Sequence, residues 1–243
     1  MNSFKTVIYE KKDNIAYVTL NRPQVLNVYN LQMRDELYQI LGAIKDDSEI
    51  AVAIFKGAGE KAFCAGADLK DFLRAPSPTV ARTIRWQRDV WGEFLSISQP
   101  LIAALHGYVL GLGVEIALLC DLRIAAEDAQ FGLPEVGLGI IPSGGATQTL
   151  PRTVGRGKAL EMLLTGHRIS AREALDVGLV NQVVAKDELQ LTAEKMARII
   201  ASFSPAVTRT AKQAVVQGLN LSLSDGLELE KRLASSLLLR KEK

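Results

Sequence analysis

Short apolar runs alternate with amphipathic stretches along the first half of the chain. Two runs rich in β-branched and aromatic residues flank Asp13-Asn14 and predict a β-hairpin. Asn30 precedes apolar residues at helical spacing and is the predicted N-cap of a helix. Further buried strands are predicted at residues 51–57, 101–109 and 122–127, with helices at residues 79–97 and 112–119. Strands that alternate with helices in this way indicate parallel pairing through helical crossovers.

The second half of the chain has a predominantly helical pattern. Ser170 and Glu173 have the spacing of a capping box, and only residues 178–184 are expected to be extended. We therefore predict an α/β protein in which residues 1–190 form the core and residues 191–243 form a helical C-terminal region.

Composition and charge narrow the class of protein. A chain of 243 residues that is 48% apolar can bury a full core. Its 29 basic and 27 acidic residues nearly balance, which gives no broad electrostatic basis for binding nucleic acid or a membrane surface. Cys64 and Cys120 lack disulfide or zinc-site spacing, and the N-terminus lacks the features of a signal peptide, so we expect a cytoplasmic protein without a metal.

Residues 101–120 are apolar over about the length that spans a bilayer. This segment contains Glu115, His106 and three glycines, and a carboxylate facing lipid is costly. We expect a buried strand followed by a buried helix. The glycines do not make a dinucleotide fingerprint, because Ile116 stands where the third glycine would be.

Two acidic residues stand in apolar surroundings. Glu115 follows a glycine turn within an apolar helix, and Glu135 lies between apolar residues and glycines. Burial disfavours the charged form of a carboxyl group, which suits such a residue to proton transfer. Taken singly, Glu115 could instead be a solvent-facing residue or an ion-pair partner of Arg123, and Glu135 could lie in a surface turn. Together they resemble a general acid and base pair.

Four segments of the chain form an ordered set of motifs. They are NRPQVLNVYN (21–30), AFCAGADL (62–69), the stretch from His106 to Gly155, and the stretch from Ala159 to Val184. Together they resemble the crotonase superfamily, in particular its enoyl-CoA hydratases, and the similarity runs from about residue 7 to residue 230. The resemblance implies an α/β spiral of ββα turns, with a helical C-terminal region that forms trimers, commonly paired into hexamers. It also implies an acyl-CoA thioester as substrate and no separate cofactor, because coenzyme A is part of the substrate.

The resemblance assigns roles to the two acids and to two main-chain groups. Glu115 corresponds to the base that takes a proton from water, and Glu135 corresponds to the protonated acid that delivers a proton to Cα. The N–H groups of Ala67 and Leu112 correspond to the oxyanion hole. Leu112 departs from the family, which usually has glycine there, and this change is expected to affect which acyl groups fit. Trp86 and Trp91 lie on a helix that covers the acyl pocket in the family, although core packing is an equal alternative.

Retention of both acids favours a hydro-lyase, an enoyl-CoA hydratase of fatty acid or acyl-CoA degradation. The Δ3,Δ2-isomerases of the superfamily usually keep only the second acid. A dienoyl-CoA hydratase, a decarboxylase or a catalytically silent binding protein on the same scaffold remain alternatives.

The resemblance also implies coenzyme A contacts, although solvated surface lysine is the competing interpretation for the two basic residues. Hydratases of this family usually continue past the last predicted helix, so a shortened C-terminal region and altered closure over coenzyme A are expected here. The implied contacts are Val25, Leu26, Lys61, Ala65, Gly66, Asp68 and Lys70.

Overall fold

A six-stranded sheet organises the computed structural model, which describes residues 4–72 and 87–241. The strand order is β1-β2-β3-β5-β7-β10. The first two strands are the predicted antiparallel hairpin, and the other neighbours are parallel. These strands are β1 (Val7–Lys12), β2 (Ile15–Leu20), β3 (Val52–Gly57), β5 (Leu101–Leu105), β7 (Leu122–Ala126) and β10 (Gln182–Val184).

A second sheet of four short strands continues directly from the first. Three of its strands are parallel, and each follows a strand of the main sheet along the chain. Its members, in spatial order, are β4 (Ala62–Cys64), β6 (Tyr108–Leu110), β8 (Gln130–Gly132) and the antiparallel β9 (Ile169–Ser170). The repeated passage from main sheet to second sheet to helix confirms the predicted spiral of ββα turns.

Helices cover both faces of the main sheet. They are α1 (Leu31–Asp46), α2 (Leu69–Phe72), α3 (Val90–Ser96), α4 (Leu112–Leu119), α5 (Ala146–Val154), α6 (Arg156–Thr165), α7 (Ala171–Asp176), α8 (Leu189–Ala201), α9 (Pro205–Gly218) and α10 (Leu223–Lys241). Helices α1 and α4 contribute to the larger core, and α8 packs on the opposite face over β3, β5 and β7. The division of the chain at residue 190 stays a prediction.

Two predicted helix starts are confirmed in atomic detail. The side chain of Asn30 accepts a hydrogen bond of 2.9 Å from the N–H of Met33 at the start of α1. Ser170 and Glu173 form the predicted capping box of α7. Both signals are local, because the capping side chain and its N–H partner lie three residues apart.

The prediction of one strand over residues 101–109 is wrong. The chain leaves β5 at Leu105, turns at Gly107 and enters β6 in the other sheet. Gly107 has a φ of +53°, and a Cβ there would overlap the carbonyl oxygen of Lys61, so glycine is required at this corner. Of the helix predicted at 79–97, residues 79–86 lie outside the described residues and α3 covers residues 90–96.

The apolar segment 101–120 folds as β5, β6 and α4 within the protein core. Across residues 4–72 and 87–241, no helix combines the length and the apolar character needed to cross a membrane. The expected helix is therefore present, and two strands in different sheets replace the single strand that was expected before it.

A buried carboxylate ties the beginning of the described chain to α1. Glu36 accepts hydrogen bonds from the N–H groups of Lys5, Thr6 and Val7, from the Thr6 hydroxyl, and from the side chain of Gln32. Burial opposes ionisation of this carboxyl, but the hydrogen bonds outweigh burial and lower the pKa of Glu36. Its negative charge therefore stabilises the entry into β1.

We expect Glu36→Gln to lower the free energy of unfolding by about 1–3 kcal/mol at neutral pH, because the amide nitrogen cannot accept from these N–H groups.

The lowered pKa of Glu36 means that its stabilisation is present above pH 4.5 and is lost as pH falls through the pKa of the folded state. The variant should thus lose less stability than the parent on acidification. Denaturant unfolding at several pH values measures both effects. Glu49→Gln, at an exposed ion pair with Lys11, is the control, and an equal loss in this variant would contradict the assignment.

Candidate active site

The beginning of α4 packs directly against the end of β4. Gly113 approaches so closely that a Cβ at this position would overlap the carbonyl oxygen of Cys64. Gly111 precedes the helix with a φ of +52° and donates its N–H to the carbonyl oxygen of Gly132 at 2.9 Å. These glycines bring the N–H of Leu112, the first residue of α4, beside the loop that follows β4.

The Ala67 N–H belongs to a peptide unit whose orientation is set by the segment before α1. Tyr29 donates its N–H to the carbonyl oxygen of Gly66 at 2.8 Å, and Asp68 donates to the carbonyl oxygen of Tyr29 at 2.8 Å. Because a trans peptide points its C=O and N–H in opposite directions, the first bond aims the Ala67 N–H away from Tyr29. Within the described part of the chain, neither Ala67 nor Leu112 donates its N–H to a protein acceptor.

Glu115 lies in the first turn of α4 and is only 2% exposed. Its Oε1 atom accepts hydrogen bonds from the N–H of Gly144 at 2.7 Å and from the N–H of Ala146 at 3.0 Å. The alternative of a solvent-facing Glu115 is therefore wrong. Arg123 instead donates to main-chain carbonyl oxygens near the C-terminal end of α4.

Glu135 lies in a 3-10 turn at Pro134–Leu138, and its carboxyl group reaches back towards α4. Its Oε1 atom lies 2.7 Å from the position that a Cβ of Gly111 would occupy. Its Oε2 atom is buried and has no hydrogen-bond partner among the described residues. Burial raises the pKa of Glu135, and the negative charge of nearby Glu115 raises it further.

An aromatic pair adjoins Glu115. The rings of Tyr29 and Trp91 stack with centroids 5.9 Å apart. A Cβ on Gly144 would lie 2.9 Å from Trp91 Cζ2 and 2.8 Å from Glu115 Oε2, so the indole and the carboxyl share one narrow space. Leu112 is half-buried and packs against the main core at the start of α4. Trp86 lies outside the described residues.

The predicted coenzyme A contacts lie on two neighbouring segments. Ala65 donates its N–H to the carbonyl oxygen of Leu26 at 3.0 Å, which holds these segments side by side. Gly66 has a φ of +112°, which requires glycine. Val25, Lys61 and Lys70 are exposed, and Asp68 is half-buried. Contact of any of these residues with coenzyme A stays a prediction.

Asp68 has a protein partner that the sequence did not reveal. Both terminal nitrogens of Arg22 lie 3.2 Å from its Oδ2 atom. Arg22 belongs to the segment NRPQVLN that was singled out for Val25 and Leu26, but no local pattern pairs it with a carboxylate 46 residues away.

The two cysteines are buried side chains. Burial raises the pKa of Cys64 to about 11 and that of Cys120 to about 12, so both are protonated thiols at neutral pH. The described residues contain no group of three or more His, Cys, Asp or Glu side chains suited to hold a metal ion. Independence from a metal or an added cofactor stays a prediction.

The family model for enoyl-CoA hydratase/isomerase matches residues 10–243. The chain belongs to this family. It is 42% identical over 224 residues to a short-chain-enoyl-CoA hydratase of Clostridium acetobutylicum, covering 92% of this chain and 86% of that protein. It is 41% identical over 225 residues to the (E)-benzylidenesuccinyl-CoA hydratase of Thauera aromatica, covering 91% and 86%. The 1.8 Å crystal structure of an enoyl-CoA hydratase from Bacillus anthracis superposes with a TM-score of 0.91 at 40% identity, covering 96% of this chain and 91% of that one.

We expect Gly113→Ala to lower the free energy of unfolding by about 1–3 kcal/mol, because α4 must move away from β4 to accommodate the methyl group. Gly157→Ala is the matched control, since a Cβ at that helical position meets no atom within 4 Å. Denaturant unfolding of both variants checks this. Equal stabilities of the two variants would show that the close packing of α4 on Cys64 is not required.

Proposed function

We propose that this protein is an enoyl-CoA hydratase, a hydro-lyase that reversibly adds water across the C2=C3 bond of a 2-enoyl-CoA to give a 3-hydroxyacyl-CoA. Family membership supports an acyl-CoA thioester as the substrate. The observation that carries the reaction type is the contrast between two neighbouring carboxyl groups. Glu115 accepts two main-chain N–H bonds, whereas Glu135 is half-buried and its buried Oε2 atom has no hydrogen-bond partner within the described structure.

The N–H groups of Ala67 and Leu112 are the proposed oxyanion hole. The thioester carbonyl oxygen gains negative charge when water adds at C3, because the electrons of the double bond pass through C2 to that oxygen. Main-chain donors already in place stabilise this enolate without reorganisation, typically by roughly 3 kcal/mol for each donor. Because main-chain groups provide the donors, the change from glycine to Leu112 preserves this role.

The contrast between the carboxyl groups assigns the proton transfers. The two N–H donors favour the ionised form of Glu115, which can accept a proton from water as its oxygen bonds to C3. The raised pKa of Glu135 favours the protonated form, which can give a proton to C2 of the enolate. The proton balance is complete, because Glu115 ends protonated and Glu135 ends ionised. Dehydration reverses both transfers. In the proposed mechanism both carboxyl groups hold the water on one face of the double bond, so the hydroxyl group and the proton add to the same face, which is syn addition.

Two carboxyl groups support hydration over isomerisation. Moving a double bond between neighbouring positions transfers a proton from one carbon to another, which a single acid and base can perform. Hydration adds a water molecule whose proton must be accepted while another proton is delivered. Glu115 gives the site the second group that this chemistry needs.

The acyl group is the part of the substrate in which the relatives differ. Relatives of nearly equal identity are named for a short-chain enoyl-CoA and for benzylidenesuccinyl-CoA. The Tyr29 and Trp91 rings and the Leu112 side chain are the proposed limits on that group. We further propose a homotrimer or homohexamer that acts in the cytoplasm in fatty acid or acyl-CoA degradation, with coenzyme A held along Val25–Leu26 and Lys61–Lys70.

Substitution by glutamine tests the two roles separately. We expect Glu115→Gln and Glu135→Gln each to lower kcat for a 2-enoyl-CoA by about 10²- to 10⁴-fold, the usual contribution of a general acid or base. In water labelled with ¹⁸O and deuterium, the parent should place one labelled oxygen on C3 and one deuterium on C2. Mass spectrometry of the product and loss of enoyl absorbance measure these outcomes.

Glu161→Gln, at an exposed position of α6, is the control and should keep full activity. If Glu115→Gln kept full activity while Glu135→Gln lost it, and 3-enoyl-CoA were converted without uptake of ¹⁸O, the protein would be an isomerase. If the parent bound enoyl-CoA and left it unchanged, the proposal of an enzyme would be wrong.

A further inference from the structure

A half-buried ion pair joins the segment before α1 to the segment that carries Ala67. Arg22 directs both terminal nitrogens at Asp68 Oδ2, each at 3.2 Å. One of these nitrogens, Arg22 Nη1, also donates to the carbonyl oxygen of Val28 at 2.7 Å. The Arg22 and Asp68 side chains are only 17% and 20% exposed, which protects the pair from screening by solvent.

The two ends of this ion pair lie next to the bonds that orient the Ala67 peptide. Val28 precedes Tyr29, whose N–H holds the carbonyl oxygen of Gly66, and Asp68 follows Ala67. The Gly66 carbonyl and the Ala67 N–H belong to one rigid peptide plane. Arg22 therefore ties together the two segments whose separation determines the direction of the Ala67 N–H.

A second set of contacts keeps the segment folded without the guanidinium. Asn27 is fully buried, and its amide nitrogen donates to the carbonyl oxygens of Ala58 at 2.9 Å and Ala62 at 2.8 Å. Its Oδ1 atom accepts from the main-chain N–H of Arg22 at 2.8 Å. None of these bonds uses the Arg22 side chain. Loss of that side chain is expected to loosen its link to Asp68 while the turn itself persists.

We propose that Arg22 is a positioning residue for the oxyanion hole, acting through Asp68 and Val28 on the N–H of Ala67. The proposal rests on the proposed function, in which this N–H binds the thioester oxygen. The planar fork of arginine meets the Asp68 carboxylate with two nitrogens while also reaching the Val28 carbonyl. A lysine has one nitrogen and is expected to preserve the charge but only part of the geometry.

The test compares Arg22→Met with Lys212→Met. Lys212 is a matched control because its Nζ atom also bridges a carboxylate and a carbonyl oxygen, those of Asp121 at 2.7 Å and Gln99 at 2.9 Å. Its side chain is 14% exposed, close to the value for Arg22. Loss of either cation removes a comparable half-buried ion pair, but only Arg22 adjoins the candidate oxyanion hole.

We expect Arg22→Met to lower kcat for a 2-enoyl-CoA about tenfold, less than the 10²- to 10³-fold loss typical of removing an oxyanion donor. KM should stay within about twofold, because the interaction strengthens in the transition state. Lys212→Met should leave kcat unchanged, and Arg22→Lys should fall between parent and Arg22→Met. The double variant Asp68→Asn with Arg22→Met should lower kcat no more than Arg22→Met alone, because both substitutions break the same ion pair.

A spectroscopic measurement separates positioning from general stability and does not require turnover. The probe is 4-dimethylaminocinnamoyl-CoA, whose absorption band moves to longer wavelength when its carbonyl oxygen accepts hydrogen bonds. We expect a clear shift with the parent and with Lys212→Met, and a markedly smaller shift with saturated Arg22→Met. A full shift with Arg22→Met, or an equal loss with Lys212→Met, would overturn the proposal. A shift with the parent that is lost in Arg22→Met, without hydration of any enoyl-CoA, would reject the hydratase function and support the positioning role.

Discussion

The N–H groups of Gly144 and Ala146 hold one oxygen of Glu115 inside an otherwise apolar core, and the rest of the site depends on this interaction. A buried carboxylate without hydrogen bonds would be too costly to remain ionised. Gly144 has no Cβ, which leaves room for the carboxyl group and for the edge of Trp91. With Glu115 held in this way, its charge adds to burial in raising the pKa of Glu135. The two acids thus differ because of their surroundings rather than their residue type.

The spiral of ββα turns explains how residues distant in the chain meet at this place. β4 and β6 are neighbours in the second sheet, so the loop after β4 lies beside the turn that leads from β6 into α4. Main-chain groups of these two loops supply the candidate oxyanion donors, and the first turn of α4 supplies Glu115. Glu135 follows β8, the next strand of the same sheet. The small sheet therefore organises the site, and the large sheet provides the core behind it.

Much of this arrangement could be predicted from local patterns and family resemblance. The Asn30 cap and the capping box at Ser170 each follow from neighbouring residues, whereas the neighbours of Glu115 left a solvent-facing position as an alternative that the fold excludes. The short strands of the second sheet could not be predicted, because two or three residues show no periodicity and their stability comes from pairing across the fold. The division of residues 101–109 between two sheets depends on the close approach of Gly107 to Lys61.

Polar contacts between residues far apart in the sequence could not be predicted either. Arg22 meets Asp68 across 46 residues, and Glu36 meets Thr6 across 30 residues. A charged residue in a sequence does not identify its partner, since an exposed position and a half-buried ion pair have the same local pattern. The comparison with relatives supplied the family, while the folded arrangement supplied the contrast between Glu115 and Glu135.

Infrared difference spectra of the parent against each glutamine variant, recorded over a pH series, test this contrast most directly. The difference spectrum of Glu135→Gln is predicted to show a protonated-carboxyl C=O band that persists to higher pH than the corresponding band in the difference spectrum of Glu115→Gln. A band that persists to higher pH for Glu115, or bands that disappear together, would contradict the assignment of acid and base.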